Sequence, residues 1–211
     1  MKWIQNLLLG EQLFYHQQNK QSMKNTILAI FFCTVYQMVS AQSYIPVIKN
    51  NTELHYICKL HGQTRTLTLT AKIAKDTLVF NLNTKGVKNS TIKIQQEAVK
   101  NGNALSYNQG EDLEIIVLKP TETFFMISQS AYQDLLKNNQ FVYNNTTYVL
   151  DKNEDKYNVV IEGKPLETLH IIAQIDETEM WIVKNPEFPL ICKITKNPLG
   201  INWTLVKIVD K

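Results

Sequence analysis

From residue 53 the chain alternates. Leu54, Tyr56, Cys58 and Leu60 take turns with Glu53, His55, Ile57 and Lys59. A period of two puts one set of side chains on one face of an extended ribbon and the other set on the opposite face, so this segment specifies a half-buried β-strand. His61-Gly62-Gln63 interrupts the pattern, which resumes with Leu67, Leu69, Ala71 and Ile73 against Thr66, Thr68, Thr70 and Lys72. Threonine suits the solvated face of a sheet. After a turn at Lys75-Asp76, Leu78, Phe80 and Leu82 repeat the alternation. Three such runs on short turns predict an antiparallel meander.

Further strand-like runs follow at 91–95, 104–107, 112–118, 123–127, 140–143, 147–150, 157–162, 166–174, 179–184, 190–195 and 203–208. Asn101-Gly102 and Gln109-Gly110 supply turn signals. Asn185-Pro186 and Phe188-Pro189 punctuate a link outside the ladder, because proline lacks an N–H. One segment reads as a helix. Ser130 is placed to cap it, Gln133 completes a weak capping box, Ala131, Tyr132, Leu135 and Leu136 have helical spacing, and Asn138-Asn139 ends it. About ten to twelve strands with one helix fit an antiparallel sheet, sandwich or barrel. No repeat or low-complexity linker divides residues 42–211, which read as a single β-rich domain.

Ahead of that domain lies a different pattern. Lys24 follows Met23, an apolar run spans 27–36, and Val39-Ser40-Ala41 closes the segment with small residues at the exit. Charge, short apolar stretch and small-residue exit describe a secretory signal peptide at 23–41, cleaved near Ala41/Gln42. The run is shorter than the ~20 apolar residues a spanning helix needs. Met23 then reads as the initiator and residues 1–22 as an over-long extension; the rival is a long n-region that includes Leu7, Leu8 and Leu9. Phe31-Phe32 ahead of Cys33 argues against a lipid anchor. The expected location is periplasmic or secreted.

Charge excludes one class of function. With 22 basic against 19 acidic residues, and lysines scattered at positions such as Lys59, Lys72, Lys75, Lys85, Lys88 and Lys93, there is no focused basic patch for nucleic acid. Residues 42–211 keep two cysteines, Cys58 and Cys192, each in an apolar strand-like run. An oxidising compartment permits a disulfide between them; two small buried thiols are the alternative.

Catalytic signatures are sparse. His55, His61 and His170 have no cysteine at ligand spacing, so no metal site is expected. Ser90-Thr91-Ile92-Lys93 matches a four-letter nucleophile motif that works only on a helix, whereas this segment alternates like a strand and turns Ser90 and Lys93 to opposite faces. The acidic pairs Glu111-Asp112 and Asp176-Glu177-Glu179 fall in expected turns. No catalytic residue and no cofactor is expected. The remaining signal is apolar: Phe124, Phe125, Met126, Tyr132, Phe141 and Tyr143 crowd around the helix, and Trp181, Phe188 and Trp203 lie near the C-terminus. Most serve the core. A helix over a curved sheet also makes an apolar pocket, for which Phe124, Phe125, Met126, Tyr132, Phe141, Tyr143 and Trp181 are the candidate ligand-binding residues.

The stretch from Trp181 through Asn185-Pro186-Glu187-Phe188-Pro189-Leu190-Ile191, followed by Trp203-Thr204-Leu205-Val206-Lys207-Ile208, resembles the ending of exported bacterial proteins built on a domain of unknown function. Leu54-His55-Tyr56 through Gly62, with threonine-rich strands after it, resembles their opening. Those proteins are similar to the periplasmic lipoprotein-carrier fold. The resemblance implies a strongly curved antiparallel sheet, an unclosed clam-like β-barrel, with helical cover over an apolar concavity. With the alternation and the one short helix after the signal-peptide helix, the expected fold is mostly β. The signal peptide, the β pattern, the aromatic content and the missing catalytic motifs point to a non-catalytic binding protein that holds an apolar or lipid-like ligand in the sheet's concavity. A cell-envelope protein–protein interaction module and a hydrolase built on the Asp176–Glu179 turn are the alternatives.

Overall fold

Eleven strands pair into one sheet in the computed structural model, which describes residues 43–75, 77–84, 89–108, 115–152 and 159–210. The signal-peptide segment, residues 1–22 and the Glu111-Asp112 pair lie outside the described residues. The alternating runs of the sequence become β1 (Glu53–Leu60), β2 (Gln63–Ala74) and β3 (Thr77–Thr84), paired antiparallel as expected. Their inner positions are buried: Leu54, Leu69, Ala71 and Phe80 are fully enclosed. β4 (Ser90–Gln95) continues the meander, with Ser90 inward and Lys93 outward, the arrangement that breaks the nucleophile motif.

The C-terminal half contributes β8 (Gln140–Tyr143), β9 (Thr146–Leu150), β12 (Thr168–Ala173), β13 (Glu179–Val183), β14 (Ile191–Thr195) and β15 (Ile201–Val209). β15 is the seam: it pairs with β1 on one side and β14 on the other, joining first strand to last. β6 (Ile115–Val117) adds in parallel to β4, giving the order β6-β4-β3-β2-β1-β15-β14-β13-β12-β9-β8. The sheet is mostly antiparallel and unclosed, since β6 and β8 end it without pairing to each other.

Its two ends nonetheless curl together. Helix α1 (Gln96–Asn101) leaves β4, α2 (Gln129–Asn138) packs on β8, and the helices touch each other. The β8–β9 turn reaches the opposite side, where Asn144 donates its backbone N–H to Asn103 O (2.9 Å) and accepts at Oδ1 from Leu105 N (2.7 Å). Bulges at His55/Tyr56 and Trp181/Ile182 add bend to β1 and β13. One continuous core fills the bent sheet, from Leu54 and Phe80 to Ile171, Ile182 and Ile194. Residues 43–211 form one compact unit. No helix among the described residues is long and apolar enough to cross a membrane.

Three local expectations need correction. Among the described residues two helices form rather than one. α1 is short and lacks a side-chain cap at Gln95, so it carries little local signature; burial of Ala98 and Val99 holds it. α2 starts earlier than expected: Ser128, not Ser130, is the cap, and its Oγ accepts from Ala131 N (3.2 Å). The expected strand at 123–127 pairs only through β7 (Glu122–Thr123), beside β5 (Ala104–Leu105), before the chain bends at Phe125 with φ 54°. Because Ser128 is fully buried and supplies the only side-chain acceptor seen at this helix start, Ser128→Ala should lower stability by about 1 kcal/mol in denaturant melts, while Ser130→Ala should change it by much less.

Candidate functional site

The described residues leave one end of the meander's inner face uncovered. α1 follows Gln95, at the end where β3 starts and β2 finishes. At the other end, where β1 runs into β2, inner side chains line an open pocket. Register fixes the wall. Cys58 sits opposite Arg65 on β2 and opposite Trp203 on β15, Leu60 opposite Ile201, and Leu67 opposite Thr84. Leu82 completes this side, and Ser106, Tyr107, Asn108, Phe124 and Phe125 close the other. The pocket's cavity volume is about 40 Å³, and the empty space around it, open solvent included, is about 540 Å³.

The strap at 124–127 shapes the pocket. Phe125 adopts φ 54°, a left-handed backbone that costs a bulky residue roughly 1–2 kcal/mol. Neighbouring hydrogen bonds hold it there: Ile191 N donates to Phe125 O (2.8 Å), Ile127 N to Pro189 O (3.1 Å), and Thr123 Oγ1 to Met126 O (2.6 Å). The kink turns the Phe125 ring into an aromatic cluster, with ring centres 4.3 Å from Trp203, 4.6 Å from Tyr56 and 4.8 Å from Phe124. Trp203 is fixed in turn by its Nε1–H, which donates to Ile191 O at 3.1 Å.

Of the residues singled out from the sequence, Phe124 and Phe125 line the pocket. Met126 is fully buried and bridges to Leu190, and Tyr132 is buried on α2. Phe141 stacks on Tyr148 at 5.4 Å. The Tyr143 hydroxyl lies 2.9 Å from Thr123 Oγ1 and accepts from Ser128 N at 3.0 Å, tying β8 to the start of α2. Trp181 occupies the other face of the sheet, stacked on His170 at 4.3 Å with Lys193 Nζ 4.1 Å above its ring. The pocket also takes in Cys58, Leu60 and Leu67, whose alternation puts them on the inner face, and Arg65, which the sequence pattern does not single out; alternation does not show which end of that face stays open.

Cys58 and Cys192 are unbonded and buried, on β1 and β14 with β15 between them. Two strand spacings amount to about 10 Å, beyond a disulfide's reach, so the buried-thiol alternative holds. Burial pushes the Cys58 thiol up to about 12. It pushes Cys192 up as well, and Cys192 Sγ donates to Trp181 O at 3.2 Å. Burial also raises Tyr107 to about 12, against a lowering hydrogen bond from Asn197. The pocket's sulfur is therefore a thiol at neutral pH, not a nucleophilic thiolate. Labelling of Cys58 at about pH 8 should run at least about a hundredfold slower in the folded protein than in denaturant, checked by mass spectrometry of the modified peptide.

The acidic turn is engaged structurally. Asp176 Oδ1 accepts from Thr178 N (3.0 Å), while Glu179 pairs with Lys196 (2.6 Å) and His170 (3.4 Å), whose Nδ1 is 3.1 Å from Asp151. Among the described residues no cluster of three His, Cys, Asp or Glu is arranged to hold a metal ion. Among the described residues the pocket offers apolar contact, neutral polar groups and one cation, Arg65. Compared with known proteins, the chain matches no family model, no curated protein and no solved structure.

Proposed function

We propose that this is an exported, non-catalytic binding protein that holds the apolar part of a small ligand in the pocket between β1, β2, β15 and the 124–127 strap. The observation that carries the reading is an open, mostly apolar depression at the edge of the core, walled by Leu60, Leu67, Leu82, Phe125, Ile201 and Trp203. Mostly apolar concave sites with a few polar groups at the rim are the common form of small-molecule pockets. The signal-peptide pattern at 23–41 and the likeness of the chain's opening and ending to exported carrier-like proteins favour the same reading.

Size narrows the occupant. A cavity volume of about 40 Å³ is far below the ~150 Å³ of a cavity that binds benzene, so the pocket takes the tip of a chain or a small alkyl group. The rest of the ligand lies in the open mouth.

Binding of an environment-sensitive apolar dye tests this. Wild-type protein should bind one equivalent. Leu60→Trp, which fills the mouth from a partly exposed position, should weaken binding roughly tenfold without loss of the far-ultraviolet dichroism. Dye binding that ignores Leu60→Trp would place the site elsewhere and end the proposal.

A further inference from the structure

Among the described residues the pocket has one charged lining residue, and it is the chain's single arginine; every other formal cation among the 22 basic residues is a lysine. Arg65 lies on β2 directly across from Cys58, with the inward parity of Leu67 and Leu69. Its stem therefore leaves the sheet on the concave face, and its guanidinium stands exposed at the mouth. Nη2 donates to Gln63 Oε1 at 3.1 Å, a neighbour of the same parity, which ties the fork along the strand and leaves its other N–H groups for a ligand. Among the described residues no carboxylate lines the pocket; the other polar lining groups are Thr84, Ser106, Tyr107 and Asn108. The ion pairs among the described residues involve lysines and histidines, and Arg65 enters none of them.

Building on the binding role above, we propose that the ligand is an anionic amphiphile: an apolar chain whose tip enters the pocket against the packed Phe125 and Trp203 rings and whose carboxylate or phosphate head is received by Arg65. A planar fork of donors matches both head groups with two parallel hydrogen bonds, which a lysine ammonium cannot do. The apolar wall and the cation lie on one continuous surface, so a single molecule can use both. Because Arg65 is exposed, solvent and salt screen the pair, and its contribution is one of selectivity among chains of equal length rather than of most of the affinity.

The test is competition against the bound dye, using laurate, dodecyl phosphate, dodecanol and dodecyltrimethylammonium as probes on the full chain. Laurate or dodecyl phosphate should displace dye about threefold to tenfold more effectively than dodecanol, and dodecyltrimethylammonium should be the weakest. The stronger of the two anions identifies the head group. Raising salt should shrink the advantage of the anions and leave dodecanol unchanged. Arg65→Met keeps an apolar stem and removes the charge; it should bring the anions down to the level of dodecanol while dodecanol binds as before. Arg65→Lys should retain only part of the preference. If all four probes compete equally, or if Arg65→Met leaves the anion preference intact, the head-group assignment is overturned and the apolar pocket stands. If none competes while the dye binds, or the dye itself does not bind, the pocket reading fails together with it.

Discussion

Raising the pH from about 8 to about 11 should unfold the domain in one cooperative step. The interior holds several acids that ionise only at high pH and are kept neutral by burial. Cys58 rises from 9.0 to about 12 and Tyr107 from 10.0 to about 12, and burial moves Cys192, Tyr56, Tyr143 and Tyr148 in the same direction. The sign follows from proton counts. Above about pH 9 the unfolded chain releases these protons and the folded chain keeps them, so stability falls with pH. Each contribution is fully present below the unfolded pKa and is lost as pH climbs toward the folded one. By about pH 11 Cys58 alone removes about 3 kcal/mol and Tyr107 about 1 kcal/mol. Cys192 and Tyr56, both enclosed, add to the same side. A domain of this kind is stable by about 5–15 kcal/mol, so the sum is of the right size to unfold it.

Far-ultraviolet circular dichroism against pH is the measurement, with tyrosinate absorbance recorded in parallel. The absorbance should rise steeply with loss of dichroism rather than gradually ahead of it, because the buried hydroxyls titrate only on opening. Replacing both thiols, Cys58→Val with Cys192→Val, removes two of the acids at nearly constant volume and should move the midpoint up by about half a pH unit or more. Retention of native dichroism to about pH 12 would sink this account.

How much of this was legible in the sequence follows the range of the interactions involved. Alternation is local: Leu54, Tyr56 and Cys58, then Leu67, Leu69 and Ala71, each declare a face without reference to the rest of the chain, and β1 to β3 form as that pattern requires. Arg65 was less legible: the alternation resumes only at Thr66, and it is the pairing with Cys58 that puts Arg65 on the inner row, as a rim residue. Its meaning waited on knowing that β1 meets β2 at the uncovered end. The strap was illegible for a different reason. The run at 123–127 has the composition of a buried strand, and what bends it are hydrogen bonds to Pro189 and Ile191, more than sixty residues away in sequence. Trp181 illustrates a third limit. A bulge between Trp181 and Ile182 breaks the parity of β13, so four successive residues there are buried and no period assigns the indole to a face. Only its pairing with His170 settles that it lies away from the pocket.

The largest single-residue effect should come from Trp203→Ala, because three separate functions of the fold meet in that side chain. β15 is the seam through which the first strand pairs with the C-terminal half, and Trp203 stands in it opposite Cys58 on one side and Ile194 on the other. The indole is 3% exposed, packs on Phe125 at 4.3 Å and on Tyr107 at 6.1 Å, and donates Nε1–H to Ile191 O at 3.1 Å. Emptying the site costs about 3–5 kcal/mol in lost packing, and the orphaned Ile191 carbonyl adds about 1–3 kcal/mol. The same change lets go of the Phe125 ring, whose strained backbone persists only because its surroundings hold it. Trp203→Phe separates these terms: it preserves aromatic contact with Phe125 and forfeits the hydrogen bond and part of the volume, so it should lose about half as much. Equilibrium denaturation of the wild type and both variants gives the comparison. Trp203→Ala should be largely unfolded or close to it at ambient temperature, with Trp203→Phe folded and intermediate. If the two variants prove equally stable, the aromatic cluster is not what holds the strap, and the pocket's wall would have to be secured by the backbone hydrogen bonds to Pro189 and Ile191 alone.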